Sequence, residues 1–238
     1  MIDWTRARAV TFDCYGTLVD WETGILRDLK AGLVSRFGKP IAGLISDEEL
    51  LRLYAQAEPA AQSVAYRTYV EVLKTTLDRV AASAHFKVTD LDALWKGLPT
   101  WAPFPETPEA LRRLSAKFLL GVATNCDRDL FAATAPALGA PLAEVVTAED
   151  VRAYKPSPKV FAELLARFAA RGIPADAVVH VSSSRFHDVA PAKALGLSCV
   201  YVERGGVRRG GATPTSTVAA EPDLVVPSLT ALCDAAGA

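Results

Sequence analysis

Apolar positions change their spacing twice along this chain. The run Ala9-Val10-Thr11-Phe12 is short and β-rich, and Gly16 follows soon after; it predicts a buried strand that ends at Asp13. From about Trp21 to Leu98 the spacing is helical. Ile25, Leu26, Leu29, Leu33 and Phe37 form one stripe, and Leu50, Leu51, Leu53 and Tyr54 a second. Tyr69, Val70, Val72, Leu73, Leu77 and Val80 form a third, and Leu91, Leu94 and Trp95 mark a fourth. No strand is predicted in this block. Beyond Trp101-Ala-Pro-Phe-Pro the pattern alternates between helix and strand. Helices are predicted at Pro108–Lys117, Arg128–Leu138, Pro158–Arg171 and Asp188–Leu195. Strands are predicted at Leu119–Thr124, around Val145-Val146, at Val178–Ser182, at Ser198–Val202 and at Asp223–Val226, before a last short helix.

Strands separated by helices predict a parallel sheet covered on both faces. The fold class is therefore α/β, a Rossmann-like parallel sheet core with an inserted helical cap. The core is expected to comprise residues 1–19 and 99–238, and the cap residues 20–98. The stretch 205–217 is rich in Gly, Arg, Thr and Ser and reads as a loop. Arg204, Arg208 and Arg209 could bind an anion there, but a solvated surface loop is the simpler reading.

With 238 residues, half of them hydrophobic, the chain suits one large domain or a core with an inserted lobe. A formal net charge of −1 supplies no basic field for nucleic acid or an anionic membrane. Neither partner is expected. The start, Met-Ile-Asp-Trp-Thr-Arg-Ala-Arg, lacks the features of a signal peptide, and no apolar run is long enough for a membrane span. Cys14, Cys126, Cys199 and Cys233 show no paired spacing, which argues against a disulfide framework or a structural zinc site. A cytoplasmic protein with reduced thiols is the expectation.

In open parallel sheets, ligands bind outside the carboxyl ends of the strands. Polar residues collect at those ends. Asp13 ends the first strand, Thr124 and Asn125 end the second, and Ser182, Ser183 and Ser184 end the strand at Val178–Val181. Lys155 lies in Tyr154-Lys-Pro-Ser-Pro, and Asp188 starts the helix after the serines. These positions are scattered in sequence and converge in such a fold. Asp13 reads as a nucleophile rather than a turn cap, because a lysine and hydroxyls are expected beside it.

Four stretches carry a resemblance to a known family: Phe-Asp-Cys-Tyr-Gly-Thr-Leu-Val-Asp, Ala-Thr-Asn, Tyr-Lys-Pro-Ser-Pro and Val-Ser-Ser-Ser-Arg-Phe-His-Asp, in that order. Over nearly its whole length the chain resembles the haloacid dehalogenase superfamily, and within it the type II L-2-haloacid dehalogenases. The resemblance implies that Asp13 attacks carbon and forms an ester, with Lys155 holding it ionised and Asp188 orienting the hydrolytic water. Asp188 also suits the N-cap of the helix that follows. Ser183 and Thr17 complete the implied catalytic group. Thr124 and Asn125 are implied to bind a substrate carboxylate or orient Asp13, with a plain turn role as the alternative. Ser184, Arg185, Cys14, Tyr15 and Trp21 are further candidates for substrate contact. Arg185 stands where the family often has asparagine, core packing is the stronger reading of Cys14, and Trp21 lines either the mouth of the site or the cap. His187 is expected to face away from the site.

Most of the superfamily are magnesium-dependent phosphatases, with a second aspartate two residues after the nucleophile and another as a metal ligand. Tyr15 and Ser183 stand at those positions here. The dehalogenase branch needs no metal, so no cofactor is implied. The implied substrate is a small 2-haloalkanoic acid, hydrolysed to the 2-hydroxy acid, and the family also implies a homodimer. Two departures bear on the leaving group. The cap arginine of the family falls at Ala55, with Arg52 or Arg67 as replacements from nearby, and the tyrosine six positions after Lys155 is Phe161. Three alternatives remain open: attack on another carboxylate-bearing carbon such as a strained cyclic amino acid, a drifted magnesium phosphatase, and a non-catalytic binding protein on this fold.

Overall fold

A computed structural model of the chain describes residues 2–63, 65–204 and 220–238. Strand β1 (Ala9–Phe12) is buried at every position. It is followed by a helical insert: α1 (Trp21–Gly32), β2 (Leu33–Val34), α2 (Asp47–Gln62), α3 (Tyr69–Ala84), β3 (Lys87–Val88) and α4 (Ala93–Gly97). The chain then alternates through α5 (Thr107–Ser115), β4 (Leu119–Thr124), α6 (Arg128–Thr134), β5 (Glu144–Thr147), α7 (Ala148–Val151) and α8 (Lys159–Ala170). It continues through β6 (Val178–Ser182), α9 (Ala190–Ala194), β7 (Ser198–Val202), β8 (Leu224–Val226) and α10 (Leu229–Ala236).

Six of the described strands form one parallel sheet in the order β5-β4-β1-β6-β7-β8. This is the Rossmann-like α/β architecture that the alternation predicts. Side chains obey the two-residue period of a strand. Val10, Phe12, Leu120, Val122, Val179 and Val181 belong to one buried cluster, shared with α5, α10 and the insert. Ala9, Ala123 and Val178 point to the opposite face, against Val160, Phe161, Leu164 and Phe168 of α8 and Ala192 of α9. Both faces are dry, so β1 reads as a continuous apolar run.

Strand order reverses at β1. The chain leaves it for β4 and β5 on one side and returns to β6 on the other. That reversal leaves a crevice at the carboxyl ends, and Asp13 sits at its base with its N–H donating to Val181 O at 3.1 Å.

The insert is tied to the sheet at several points. Trp101 is buried and donates from Nε1 to Asp28 Oδ2 of α1 at 2.7 Å. Gly24 of α1 lies so close that a Cβ there would stand 2.3 Å from the Trp101 ring. The Asp127 carboxylate accepts from the Tyr69 and Val70 N–H groups at 2.8 and 3.0 Å, capping the start of α3 from the sheet side.

Three local expectations are corrected. β2 and β3 pair antiparallel within the insert, where no strand was predicted; two residues are too short to leave an alternation signal. Phe37 does not continue the first helical stripe. α1 ends at Gly32, where a Cβ would meet Ala93 Cβ at 2.8 Å, and Phe37 is 91% exposed. Asp188 does not start its helix. Ser184 is the cap, accepting from the His187 N–H, and Asp188 lies inside a π-helical turn, Arg185–Val189, that runs into α9.

Candidate active site

The loop after β1 turns at Gly16, whose φ of +93° is a left-handed value that glycine adopts freely. Cys14 O accepts from the N–H groups of Thr17, Leu18 and Val19. That tight turn brings Thr17 back under Asp13. Its hydroxyl donates to Asp13 Oδ2 at 2.7 Å.

Lys155 reaches the same carboxylate from the loop after α7. Its ammonium lies 2.8 Å from Asp13 Oδ1, 2.6 Å from Asp188 Oδ1 and 2.8 Å from Ala123 O. Asn125 clamps the lysine backbone: Oδ1 accepts from Lys155 N at 2.7 Å and Nδ2 donates to Lys155 O at 3.1 Å. Asp188 Oδ1 also pairs with His180 Nε2 at 3.1 Å, and His180 Nδ1 pairs with the Thr11 hydroxyl at 2.9 Å. An ionised carboxylate only accepts, so Nε2 carries the proton that Asp188 receives as a hydrogen bond. Phe161 packs edge-on against His180, with ring centroids 4.9 Å apart. It has no hydroxyl to offer, and the imidazole supplies Asp188 with its hydrogen bond. Asp188 Oδ2 is buried and takes no hydrogen bond among the described residues.

Burial governs the charges here. It pushes the Asp13 carboxyl above the ordinary carboxylate value, and the Asp188 charge adds to this while the Lys155 ammonium and the Thr17 hydroxyl pull it back. Burial alone would discharge Lys155; the Asp13 and Asp188 carboxylates overcome that and hold the ammonium above its usual value. Asp188 feels the same burial, but Lys155 and His180 outweigh it and hold the carboxylate well below the usual range. The result is a buried acid–lysine–acid unit in which two carboxylates share one cation.

A small cavity of about 50 Å³ opens over this unit. Asp13, Lys155, Asp188, Asn125, Ser183 and Ser184 line it from the sheet side. Tyr15 and Trp21 form another wall; the Trp21 indole stacks edge-on against Tyr54 at 6.1 Å between ring centroids. The remaining residues are Glu58 and Tyr69 from the insert, and His187. His187 therefore faces the site, contrary to expectation, because the π-helical turn rotates it inward. Burial pushes its imidazole down to about 4, which keeps it neutral at pH 7. A wider cleft of about 430 Å³ adjoins, sharing Lys155 and His187 and edged by Tyr66 and Arg152.

The sequence candidates divide accordingly. Asp13, Lys155, Asp188, Ser183, Ser184, Asn125, Tyr15 and Trp21 meet at the cavity, and Thr17 bonds to Asp13 beneath it. Three others are not brought there. Arg185 turns outward to Glu221 at 2.9 Å and over the Tyr201 ring. Cys14 is fully buried in the core. Thr124 is also fully buried, on the strand beneath. Arg52 pairs with Glu49 at the surface, and Arg67 donates to Ala61 O at 2.7 Å, so neither replaces the missing arginine at the cavity wall. Arg204 is not a solvated loop residue: it lies over the Phe104 ring, pairs with Glu106 and donates to Thr17 O from Nε at 3.0 Å and from Nη2 at 2.7 Å. Arg208 and Arg209 lie outside the described residues.

Two residues at the site were missed. His180 is a polar residue inside an otherwise apolar strand, on the register line opposite Thr11. Glu58 lies on the apolar face of α2, one turn after Tyr54 and two after Leu51. In each case a polar residue interrupting an apolar pattern was the available signal.

An aspartate at the switch point of a Rossmann-like sheet, held by a buried lysine, defines a class of hydrolase fold. Residues 7–196 match the haloacid dehalogenase-like hydrolase family, and the chain belongs to that family. It is 27% identical over 213 residues to (S)-2-haloacid dehalogenase 4A of Burkholderia cepacia, covering 84% of each chain. Its fold matches the L-2-haloacid dehalogenase of Xanthobacter autotrophicus with chloropropionic acid covalently bound, at a TM-score of 0.76 and 21% identity over 96% of this chain and 97% of that one. It matches magnesium-bound YfnB of Bacillus subtilis equally, at a TM-score of 0.76 and 17% identity over 98% of this chain and all of the other.

Proposed function

We propose that the protein hydrolyses small 2-substituted carboxylic acids, 2-haloalkanoic acids among them, through an ester on Asp13. The observation that supports this reading is the buried Asp13–Lys155–Asp188 unit, with Tyr15 and Ser183 at the two positions where the magnesium phosphatases carry aspartate. A hard divalent cation calls for a shell of oxygen ligands. Here both carboxylates are engaged with the Lys155 ammonium, the Tyr15 hydroxyl pairs with Thr134 at 2.9 Å, and the Ser183 hydroxyl donates to Gly16 O at 2.6 Å. Among the described residues no cluster of three His, Cys, Asp or Glu side chains is disposed to hold a metal. This donor set does not fit magnesium.

In the proposed reaction a carboxylate oxygen of Asp13 attacks C2 in line with the leaving group, which departs with the bonding electrons. Water beside Asp188 Oδ2 then attacks the carbonyl carbon of Asp13, and Asp188 receives the proton. Lys155 holds the developing oxyanion, and on collapse the proton on Asp188 passes to the leaving oxygen, which releases the 2-hydroxy acid, while the second water proton goes to solvent and Asp13 is restored as a carboxylate. Asn125 fixes the lysine backbone, His180 fixes Asp188, and residues 20–98 serve as the cap that excludes bulk water. Incubation with (S)-2-chloropropionate and chiral analysis of the lactate tests this. One displacement at C2 predicts (R)-lactate, with a rate indifferent to chelators. Retained configuration, or a requirement for magnesium, would contradict it.

A further inference from the structure

The cavity wall contributed by the insert offers a carboxyl group where a cation was expected. Glu58 is 8% exposed and lines the same cavity as Asp13. Its Oε1 accepts from Gln62 Nε2 and from the Tyr69 hydroxyl, the latter at 3.3 Å. Oε2 takes no hydrogen bond, and Glu58 has no cationic partner, among the described residues. The ionisable groups around it are Tyr54 of its own helix, Tyr69 of α3, Tyr154 of the loop after α7, and Asp13, Lys155, His187 and Asp188 lining the cavity. Ala55, Arg52 and Arg67 bring no positive charge to this wall.

Displacement at carbon sends the leaving atom away from the nucleophile. Asp13 attacks from the sheet side, so the leaving atom moves toward the insert, where Glu58 stands. An unpaired carboxyl buried there favours its neutral form and presents an O–H. We propose that Glu58 donates a proton to the leaving atom, so that the site favours small 2-carboxylates whose C2 carries a strained-ring oxygen or nitrogen over those carrying chloride or bromide. This inference rests on the Asp13 reading above.

The atoms balance as follows. The Asp13 O–C2 bond forms while the C2–O or C2–N ring bond breaks. Its electron pair goes to the ring atom, the Glu58 proton joins it, and Glu58 becomes a carboxylate. Water then hydrolyses the ester, and the proton released restores Glu58. For a ring nitrogen that enters already protonated, Glu58 is the carboxylate that holds the same proton in place.

The test measures kcat/KM for the wild type and Glu58→Gln with oxirane-2-carboxylate, azetidine-2-carboxylate and (S)-2-bromopropionate, with heavy-oxygen labelling of Asp13 in each arm. Opening of either ring acid supports the proposal, and the two arms separate oxygen from nitrogen as the leaving atom. Glu58→Gln is expected to lower ring opening by ~10²–10⁴-fold and bromide displacement by a far smaller factor. In the oxirane arm the wild-type rate falls as pH rises through about 7, the value to which burial pushes Glu58, and the variant lacks that limb. An unfolding curve for the variant separates misfolding from chemistry. If bromopropionate labels Asp13 but neither ring acid opens, or if all arms slow equally in a folded variant, the proposal is overturned while the Asp13 reading stands. If none of the three labels Asp13, both fall.

Discussion

Replacing Lys155 with methionine keeps the stem and removes the charge. The ammonium lies 2.8 Å from Asp13 Oδ1 and 2.6 Å from Asp188 Oδ1, and its side chain is 2% exposed. At an effective dielectric near 20, a charge pair at such distances is worth about 6 kcal/mol before desolvation. Withdrawing that attraction leaves burial to push the Asp13 carboxyl further toward its neutral form, above the rise it already shows. Less of the nucleophile is then ionised at pH 7. The expected result is a loss of at least ~10³ in kcat/KM at pH 7, with the residual rate climbing as pH rises toward 9. Stability should fall too, by about 3–5 kcal/mol, because two buried carboxylates lose their shared partner. A pH–rate profile and urea unfolding of Lys155→Met supply both numbers. A variant within tenfold of the wild type, with a flat profile between pH 6 and 9, would refute the reasoning.

His180→Phe removes the hydrogen bond to Asp188 Oδ1 while keeping a ring against Phe161. It should slow ester hydrolysis more than ester formation, so that mass spectrometry of quenched reactions finds the Asp13 alkyl ester accumulating. Glu58 is raised from its ordinary value of 4.5 to about 7 by burial. Between those values the folded chain binds more protons than the unfolded chain, so this group's stabilisation is complete below pH 4.5 and is lost as pH rises through about 7. Glu58→Gln should therefore gain about 3 kcal/mol relative to the wild type between pH 4 and pH 8, read from urea midpoints at each pH. At Gly16, φ is +93° and a Cβ would stand 3.0 Å from Trp21 Nε1. Gly16→Ala should destabilise by about 1–2 kcal/mol and raise KM, as the indole is pushed into the cavity.

Much of this architecture is legible in the chain, because period carries it. Ala9–Phe12, Leu119–Thr124 beyond its exposed first residue, and Val178–Ser182 are buried on both faces and read as short apolar runs, and their carboxyl ends carry Asp13, Asn125 and Ser183. What was not legible depended on direction rather than period. Arg185 and His187 are two residues apart in one π-helical turn, and the extra residue in that turn sends one outward to Glu221 and the other into the cavity. Arg204 sits beside a Gly-rich stretch that reads as solvent-exposed, yet the Phe104 ring and the Thr17 carbonyl hold it against the core. Glu58 and His180 each interrupt a mostly apolar pattern, and that pattern specifies burial without specifying what the polar side chain meets there.

The claim on which the rest depends is the ester on Asp13. Single-turnover hydrolysis of (S)-2-chloropropionate in heavy-oxygen water, with enzyme in excess, tests it most directly. Water that attacks the carbonyl carbon of Asp13 leaves its oxygen in the protein, so a peptide containing Asp13 gains the label and the first-turnover lactate does not. Label found in lactate alone would contradict the account.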